Sequence, residues 1–237
     1  MLSAVMLSYF FVVTFSDARS VLLYRSQVTT AWQWHAFLAS RVTGGRQLLR
    51  LNLDETAVAY WDTKKNRGNL YIGGPRGVRR ALRAKATLAQ LRMHITHVAV
   101  VCDDTSIQPL LPQILLVSTH TLPAYKVDEV AAELGPNVEI WRERSAWVNA
   151  VVFRRIIIRI GEALAHLRGS HAFILSMDTF AAHFDSAVLR AAARARLWVC
   201  PVPARTTCKM QVLDTHGFAK YKDLIQPGYG RFLYFLL

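Results

Sequence analysis

Acids are scarce in this sequence. There are 16 Asp and Glu against 29 Lys and Arg, which leaves a formal charge of +13 and a pI near 10.2. Net charge speaks to association and not to fold, and a surplus of this size points to a polyanionic partner, with nucleic acid the first candidate. Cysteine is scarce too. Cys102, Cys200 and Cys208 are the 3 present, without a CxxC pair, so neither a disulfide framework nor a zinc cage is encoded, and a reducing compartment fits better than secretion. Long apolar runs are few. MLSAVMLSYFFVVTF is a 15-residue uncharged stretch, but it is shorter than the ~20 residues a spanning helix needs. It also lacks a preceding Lys or Arg and a clean small-residue cleavage motif. Stable membrane insertion is therefore not expected, with secretory or membrane targeting by residues 1–20 the minor alternative. Low-complexity linkers and internal repeats are absent.

What is present is a globule-forming sequence. Its 237 residues are 52% hydrophobic, enough for one domain with a full core. We expect residues 31–237 to form that domain, with 1–30 an apolar N-terminal segment outside its core. AWQWHAFLASR reads as a helix leading through Gly44-Gly45 into a strand, LLRLNLDETAVAYW. NLYIGG and THVAVVCDD are further candidate strands, the latter turning at Asp103 and Asp104 into IQPLLPQILLV. From Ser145 to Leu167, Val148, Val152, Ile156, Ile160 and Leu164 recur at four-residue spacing, the mark of an amphipathic helix. HAFILSMD, SAVLRAAARAR, LWVCPVP and DTHGFAKYKDLI then alternate strand and helix. Three strands in antiparallel style followed by helix, strand, helix, strand, helix make an α/β arrangement whose later strands run parallel to the first.

Asp54 and Glu55 interrupt a strand that otherwise reads as buried. An unpaired ionised carboxylate in a low-dielectric interior costs several kcal/mol, so such a group has a base, backbone donors or a cation beside it. Asp178 closes one later strand and Asp214 follows another. In open α/β sheets functional sites gather beyond strand ends, so acids from three segments can converge there. Capping explains Asp178 or Asp214 taken singly, since Asp is favoured at helix N-termini; it does not explain Asp54. Period-2 geometry sends Glu55 to the opposite face, where an external salt bridge would meet it. His183 is a candidate to orient a ligand or touch phosphate, or else a structural histidine at a helix start; His216 reads as surface.

The blocks NLDETAV around Asp54, ILSMDTFAAH from Ile174 to His183, and PARTTCKMQVLD from Pro203 to Asp214, with 35 residues between the second and third acids, resemble the DDE superfamily endonuclease domain. They are most similar to its pogo/Tigger branch, which includes centromere-protein-B and jerky-type proteins. The resemblance covers about residues 30–225. It implies a ribonuclease-H-like mixed sheet flanked by helices, cutting and joining of DNA strands, and Asp54, Asp178 and Asp214 as catalytic ligands of two divalent ions, Mg2+ or Mn2+. Oxygen donors suit such ions, which keep several waters. Thr179 stands where the family shows Asn or Gly, and the third block departs from the Pro-Asn-Thr-Thr and Gln-Pro-Leu-Asp types. Helix-turn-helix modules upstream of the first acid and a full C-terminal end are not expected in this chain.

From Thr63 to His94 no acid occurs, while Lys64, Lys65, Arg67, Arg76, Arg79, Arg80, Arg83, Lys85 and Arg92 do. Most such runs are solvated faces; beside a carboxylate cluster this one is expected to contact DNA phosphates. The expectation is a nuclear, transposase-derived endonuclease or strand-transfer domain with DNA as partner and homo-oligomerisation open. The alternative is a catalytically inactive, domesticated or decayed DNA-binding remnant.

Overall fold

A computed structural model of the chain describes residues 18–59, 94–203, 206, 210–218 and 220–221. The expected strand NLYIGG and the basic strip with Lys64, Lys65, Arg67, Arg76, Arg79, Arg80, Arg83 and Lys85 lie outside the described residues, as do residues 1–15. Helix α1 (Ala18–Ser40) is followed by strands β1 (Gln47–Ala59), β2 (His94–Cys102) and β3 (Gln113–Ser118). A short helix α2 (Val127–Ala132) leads to β4 (Val138–Glu143). Helix α3 (Ala150–Ala163), β5 (His171–Asp178), α4 (Ser186–Ala195) and β6 (Leu197–Val202) complete the regular elements. The sheet has 6 strands in the order β4-β3-β2-β1-β5-β6. It is mixed: β5 runs parallel to β1 and to β6, β4 parallel to β3, and β3 antiparallel to β2. This is the mixed α/β sheet flanked by helices that the sequence blocks imply.

The chain divides into two compact units. The first holds α1, β1 as far as Asp54, the segment Val100–Leu110, and everything from α3 through the turn-rich segment after β6. Within it β1 alternates strictly. Leu49, Leu51 and Leu53 are buried on one face, Asn52 and Asp54 on the other. The second face is covered near its start by α1, whose Leu38 packs with Ile174 and Cys200 and with the flanking Leu48 and Trp198. The Trp34 indole N–H donates to Val199 O at 3.1 Å, tying the same helix to β6. Gly44 and Gly45, at φ +71° and +67°, carry the left-handed turn from α1 into β1 that other residues resist. The start of β1 is clamped by Asp103. Its Oδ1 accepts the Arg50 N–H at 2.9 Å and its Oδ2 meets Arg50 Nη1 at 3.0 Å, while its own N–H donates to Arg50 O at 3.1 Å. Asp104, expected as a turn former, accepts from Ser106 N–H at 2.8 Å and Ser106 Oγ at 2.7 Å.

In the second unit β3 carries the apolar load, with Ile114, Leu116 and Val117 buried. Val117, Leu122 and Val130 form a small core with Ile95 and Ile140 against it. Thr96 Oγ1 donates to Ala146 O at 2.6 Å. Neither β4 nor α2 was expected from the sequence. Every residue of β4 is half-buried, so VEIWRE shows no alternation for a period to reveal.

The expected amphipathic helix is α3, shorter than Ser145–Leu167: it starts at Ala150 and gives way to a 3₁₀ turn at Ala165–Leu167. Val152, Ile156, Ile160 and Leu164 are buried as the spacing required. Helix α4 lies against it through Ala191, Ala192 and Ala195, and Asp185, not Asp178, caps α4 by accepting the Ala187 N–H at 2.8 Å. The two helices approach so closely that a Cβ at Gly161 would stand 2.5 Å from Ala195 Cβ. Gly161→Ala should therefore cost about 1–3 kcal/mol despite alanine's better helix propensity. Urea denaturation should show a lower midpoint with an unchanged slope; a midpoint at or above wild type would mean the helices can separate at no cost.

Candidate active site

The site grows from the polar face of β1. Asn52 is level with Ser176 on β5, and in a parallel pair residues at one level point the same way. Two residues further along each strand stand Asp54, inside β1, which runs on to Ala59, and Asp178, the last residue of β5. Asp54 is buried, 7% exposed; Asp178 ends its strand half-buried.

The third acid arrives by a different route. Asn52 Oδ1 accepts the Leu213 N–H at 3.2 Å, its Nδ2 reaches Ser176 O at 3.4 Å, and Gln211 Nε2 donates to Leu53 O at 3.3 Å. These bonds dock the segment after β6 onto β1 beside Asp54's strand position. Asp214 rides on that segment, inside a π-helical turn at Leu213–Gly217, where its side chain is exposed. It is neither at the sheet edge nor a cap, since Val212 precedes the turn without a side-chain bond. Sequence reasoning missed Asn52 and Gln211. The alternation Asn52, Asp54, Thr56 was a signal available for the first; nothing local marked Gln211, whose amide is buried and whose partner lies on β1.

Asp178 is held in place. Its Oδ1 lies 2.6 Å from His183 Nδ1 and accepts the Phe180 N–H at 3.2 Å. His183 is itself 2% exposed and stacked on Phe153 at 3.9 Å between ring centroids, with Phe180 edge-on at 5.5 Å. Burial pushes the Asp178 carboxyl up, but the hydrogen bond and charge of His183, with the Phe180 N–H, more than offset it and hold the group below its ordinary value. His183 thus bonds the Asp178 carboxylate and is also buried in the turn Ala181–Phe184, as the structural alternative would have it. His216 is exposed, its Nδ1 2.6 Å from Thr215 Oγ1. Glu55 is half-buried, more covered than an external salt bridge requires.

The donor set fits a hard divalent cation in kind: carboxylate oxygens, with the buried Gln211 Oε1 an acceptor that receives no hydrogen bond. Position fits in part. Asp54 and Asp178 are level, but among the described residues no three His, Cys, Asp or Glu side chains stand together closely enough to hold a metal ion. The expected three-acid convergence is thus one of chain segments and not of carboxylates, because Asp178 is turned to His183 and Asp214 faces solvent. Of the described cysteines, Cys102 and Cys200 are poor thiolate nucleophiles, since burial pushes their thiols up to about 11. Among the described residues no helix is long and apolar enough to cross a membrane.

No protein-family model matches the sequence, and no curated protein matches it. Among solved structures the chain is similar to the Mos1 transposase paired-end complex with left transposon end, at 14% identity and TM-score 0.46, over 91% of this chain and 51% of that one. It is also similar to the Mos1 transposase catalytic domain with raltegravir and Mg, at 12% identity and TM-score 0.47, over 84% and 70%. A third is the catalytic domain of Mos1 mariner transposase, at 13% identity and TM-score 0.46, over 90% and 75%. The chain spans about half the length of the first of these.

Because Asp178 is held below its ordinary value, its ionised form contributes stability that is present above about pH 4, the unfolded value, and lost as pH falls through the lowered one. His183→Phe keeps an aromatic ring against Phe153 and removes the imidazole. Asp178 followed by NMR should then titrate at higher pH, and its share of the acid-side loss of stability should shrink. An unmoved titration would assign the effect to the Phe180 N–H instead.

Proposed function

We propose that the chain is a transposase-derived DNA endonuclease or strand-transfer domain, of the pogo/Tigger branch that its three sequence blocks resemble. The observation that carries this reading is the polar row on β1, Asn52 and Asp54, level with Ser176 and Asp178 on β5. A sheet core has no structural need for a carboxylate as deeply buried as Asp54, on the strand next to one that ends in Asp178. In this reading Asp54, Asp178 and Asp214 hold two Mg2+ or Mn2+ ions, which when bound would activate the attacking oxygen and stabilise the leaving oxygen of a phosphodiester. Asn52 and Gln211 fix the segment that carries Asp214. His183 sets the direction of the Asp178 carboxylate. DNA phosphates are met by Lys64, Lys65, Arg67, Arg76, Arg79, Arg80, Arg83 and Lys85, which offset the charge of the acids during approach. Work on DNA places the chain in the nucleus of a eukaryotic cell, and joining two strand ends would call for a second copy of it.

One observation favours the inactive remnant as a second reading: Asp178 is already engaged by His183, so a cation must compete with an imidazole for that carboxylate.

Plasmid nicking separates the two. The purified chain should nick supercoiled DNA only with Mg2+ or Mn2+, and metal should raise its melting temperature, by the equivalent of ~2.7 kcal/mol at a hundred times the dissociation constant. Asp54→Asn should abolish nicking and leave DNA affinity within about twofold, because phosphate contacts and not the acids supply binding. If wild type shows no metal-dependent nicking, its melting temperature ignores metal, and Asp54→Asn stabilises it by relieving repulsion, the remnant reading holds.

Binding has its own test. Log affinity for duplex DNA should fall linearly with log salt, and replacing Arg79, Arg80 and Arg83 by Ala should flatten that slope by roughly 0.9 for each phosphate that is no longer neutralised. An unchanged slope would make the strip a solvated face.

A further inference from the structure

At the opposite end of the first unit from the acids, the amino ends of β5 and β6 and the approach to β1 enclose a cleft of about 410 Å³. Its lining is Arg46, Arg168, His171, Arg196, Trp198 and small or apolar neighbours, with no acid. Three guanidinium groups, an imidazole and an indole around one concavity are chemically coherent. Arginine forks match phosphate oxygens in pairs, and an indole offers a flat face to a base or sugar. Among the described residues none of Arg46, Arg168 and Arg196 forms an ion pair.

Two details show that the cationic character is not incidental. Arg168 is anchored by Nη2, which donates to Gly161 O at 2.7 Å, yet its buried Nε donates to nothing. A buried charged donor left without an acceptor is costly, so the Arg168 side chain is held in the cleft wall against a free-energy penalty. Arg196 sits at φ +58°, the one non-glycine residue with positive φ among the described residues. It occupies the left-handed position closing α4, where glycine is ordinarily found. A strained backbone that presents an arginine to a cleft is an observation that argues for use of the side chain. A second hollow adjoins, lined by Arg154, Arg190 and Arg194 with one acid, Glu162, and sharing Arg168.

We propose that this cleft is a binding site for a phosphate ester, separate from the carboxylates, and that its ligand is a phosphate of the nucleic acid the chain acts on. The volume suits a nucleotide-sized group. Along β5, His171 and Asp178 are 7 residues apart, roughly 23 Å at about 3.3 Å per residue, so one duplex could not place a single phosphate at both. The cleft is an anchoring site and not part of the cutting site. Only the identity of the ligand rests on the DNA-acting reading; the site stands or falls by itself.

Calorimetric titration with pyrophosphate at low salt tests it. Wild type should bind one equivalent, and the double variant Arg46→Gln/Arg196→Gly should bind about tenfold more weakly or worse, because two charge-assisted hydrogen bonds can no longer form. Arg196→Gly alone should raise the melting temperature by relieving the left-handed strain, so weakened binding cannot be blamed on unfolding. Asp54→Asn should leave pyrophosphate affinity unchanged, which separates this site from the acids. A short duplex added to the cell should displace pyrophosphate. Failure of wild type to bind, or equal affinity in the double variant, would overturn the site. Intact pyrophosphate binding that duplex DNA does not weaken would overturn the nucleic-acid assignment and leave a site for a free phosphate ester.

Discussion

The first unit depends on a buried asparagine. Asn52 stands in the middle of β1, with leucines on either side of it along the chain, and its amide joins three segments far apart in sequence. A polar side chain buried in a sheet must find partners or cost about 1–3 kcal/mol. Here the partners are the Ser176 carbonyl on the neighbouring strand and the Leu213 N–H of the segment after β6. Without that bond the Leu213 amide would be a buried orphan, and the π-helical turn that follows would have no reason to lie against β1. Satisfying one amide thus sets where Asp214 can be, while the parallel pairing of β1 with β5 sets where Asp54 and Asp178 are.

The same logic makes Asp178 a shared resource. A carboxylate at a strand end can be steadied by a backbone N–H, an imidazole or a cation, and here the first two are in place. His183 is itself pinned by Phe153, so the imidazole cannot simply swing away. Any cation drawn to the acids must outbid a short, buried hydrogen bond, and the side chain of Asp214 must come in from solvent. The second demand falls on a segment docked by the specific bonds of Asn52 and Gln211, where local stability is low if few bonds hold it.

How much of this could be read beforehand follows from how far each signal reaches along the chain. Helices α1, α3 and α4 and strands β1, β5 and β6 were legible because their apolar spacing is local: Val152, Ile156 and Ile160 need only one helix to declare themselves. Asp54 was legible as an anomaly within a strand. Strand β4 was not, because an edge strand half-buried throughout has no periodic contrast. Asn52 and Gln211 were not, because their roles are contacts across 161 and 158 residues. His183 showed its sequence neighbourhood to Asp178 but not its burial, which comes from a helix folded over it. Arg196 was hidden for another reason: nothing in SAVLRAAARAR tells that its last arginine closes the helix in a left-handed conformation.

The placement of charge in the first unit then has a consequence for any polyanion. Asp54 inside β1 and Asp178 at the end of β5 are acids, while the cleft at the amino ends of β5 and β6 is lined by arginines. Nucleic acid approaching along the sheet meets attraction at one end and repulsion at the other until cations neutralise the acids. On the proposed reading, magnesium would screen the arginine contacts and weaken anchoring, while at the acids it would lower the barrier to phosphate entry. On that reading anchoring and cutting are kept apart along the sheet, His171 and Asp178 standing 7 residues apart on β5.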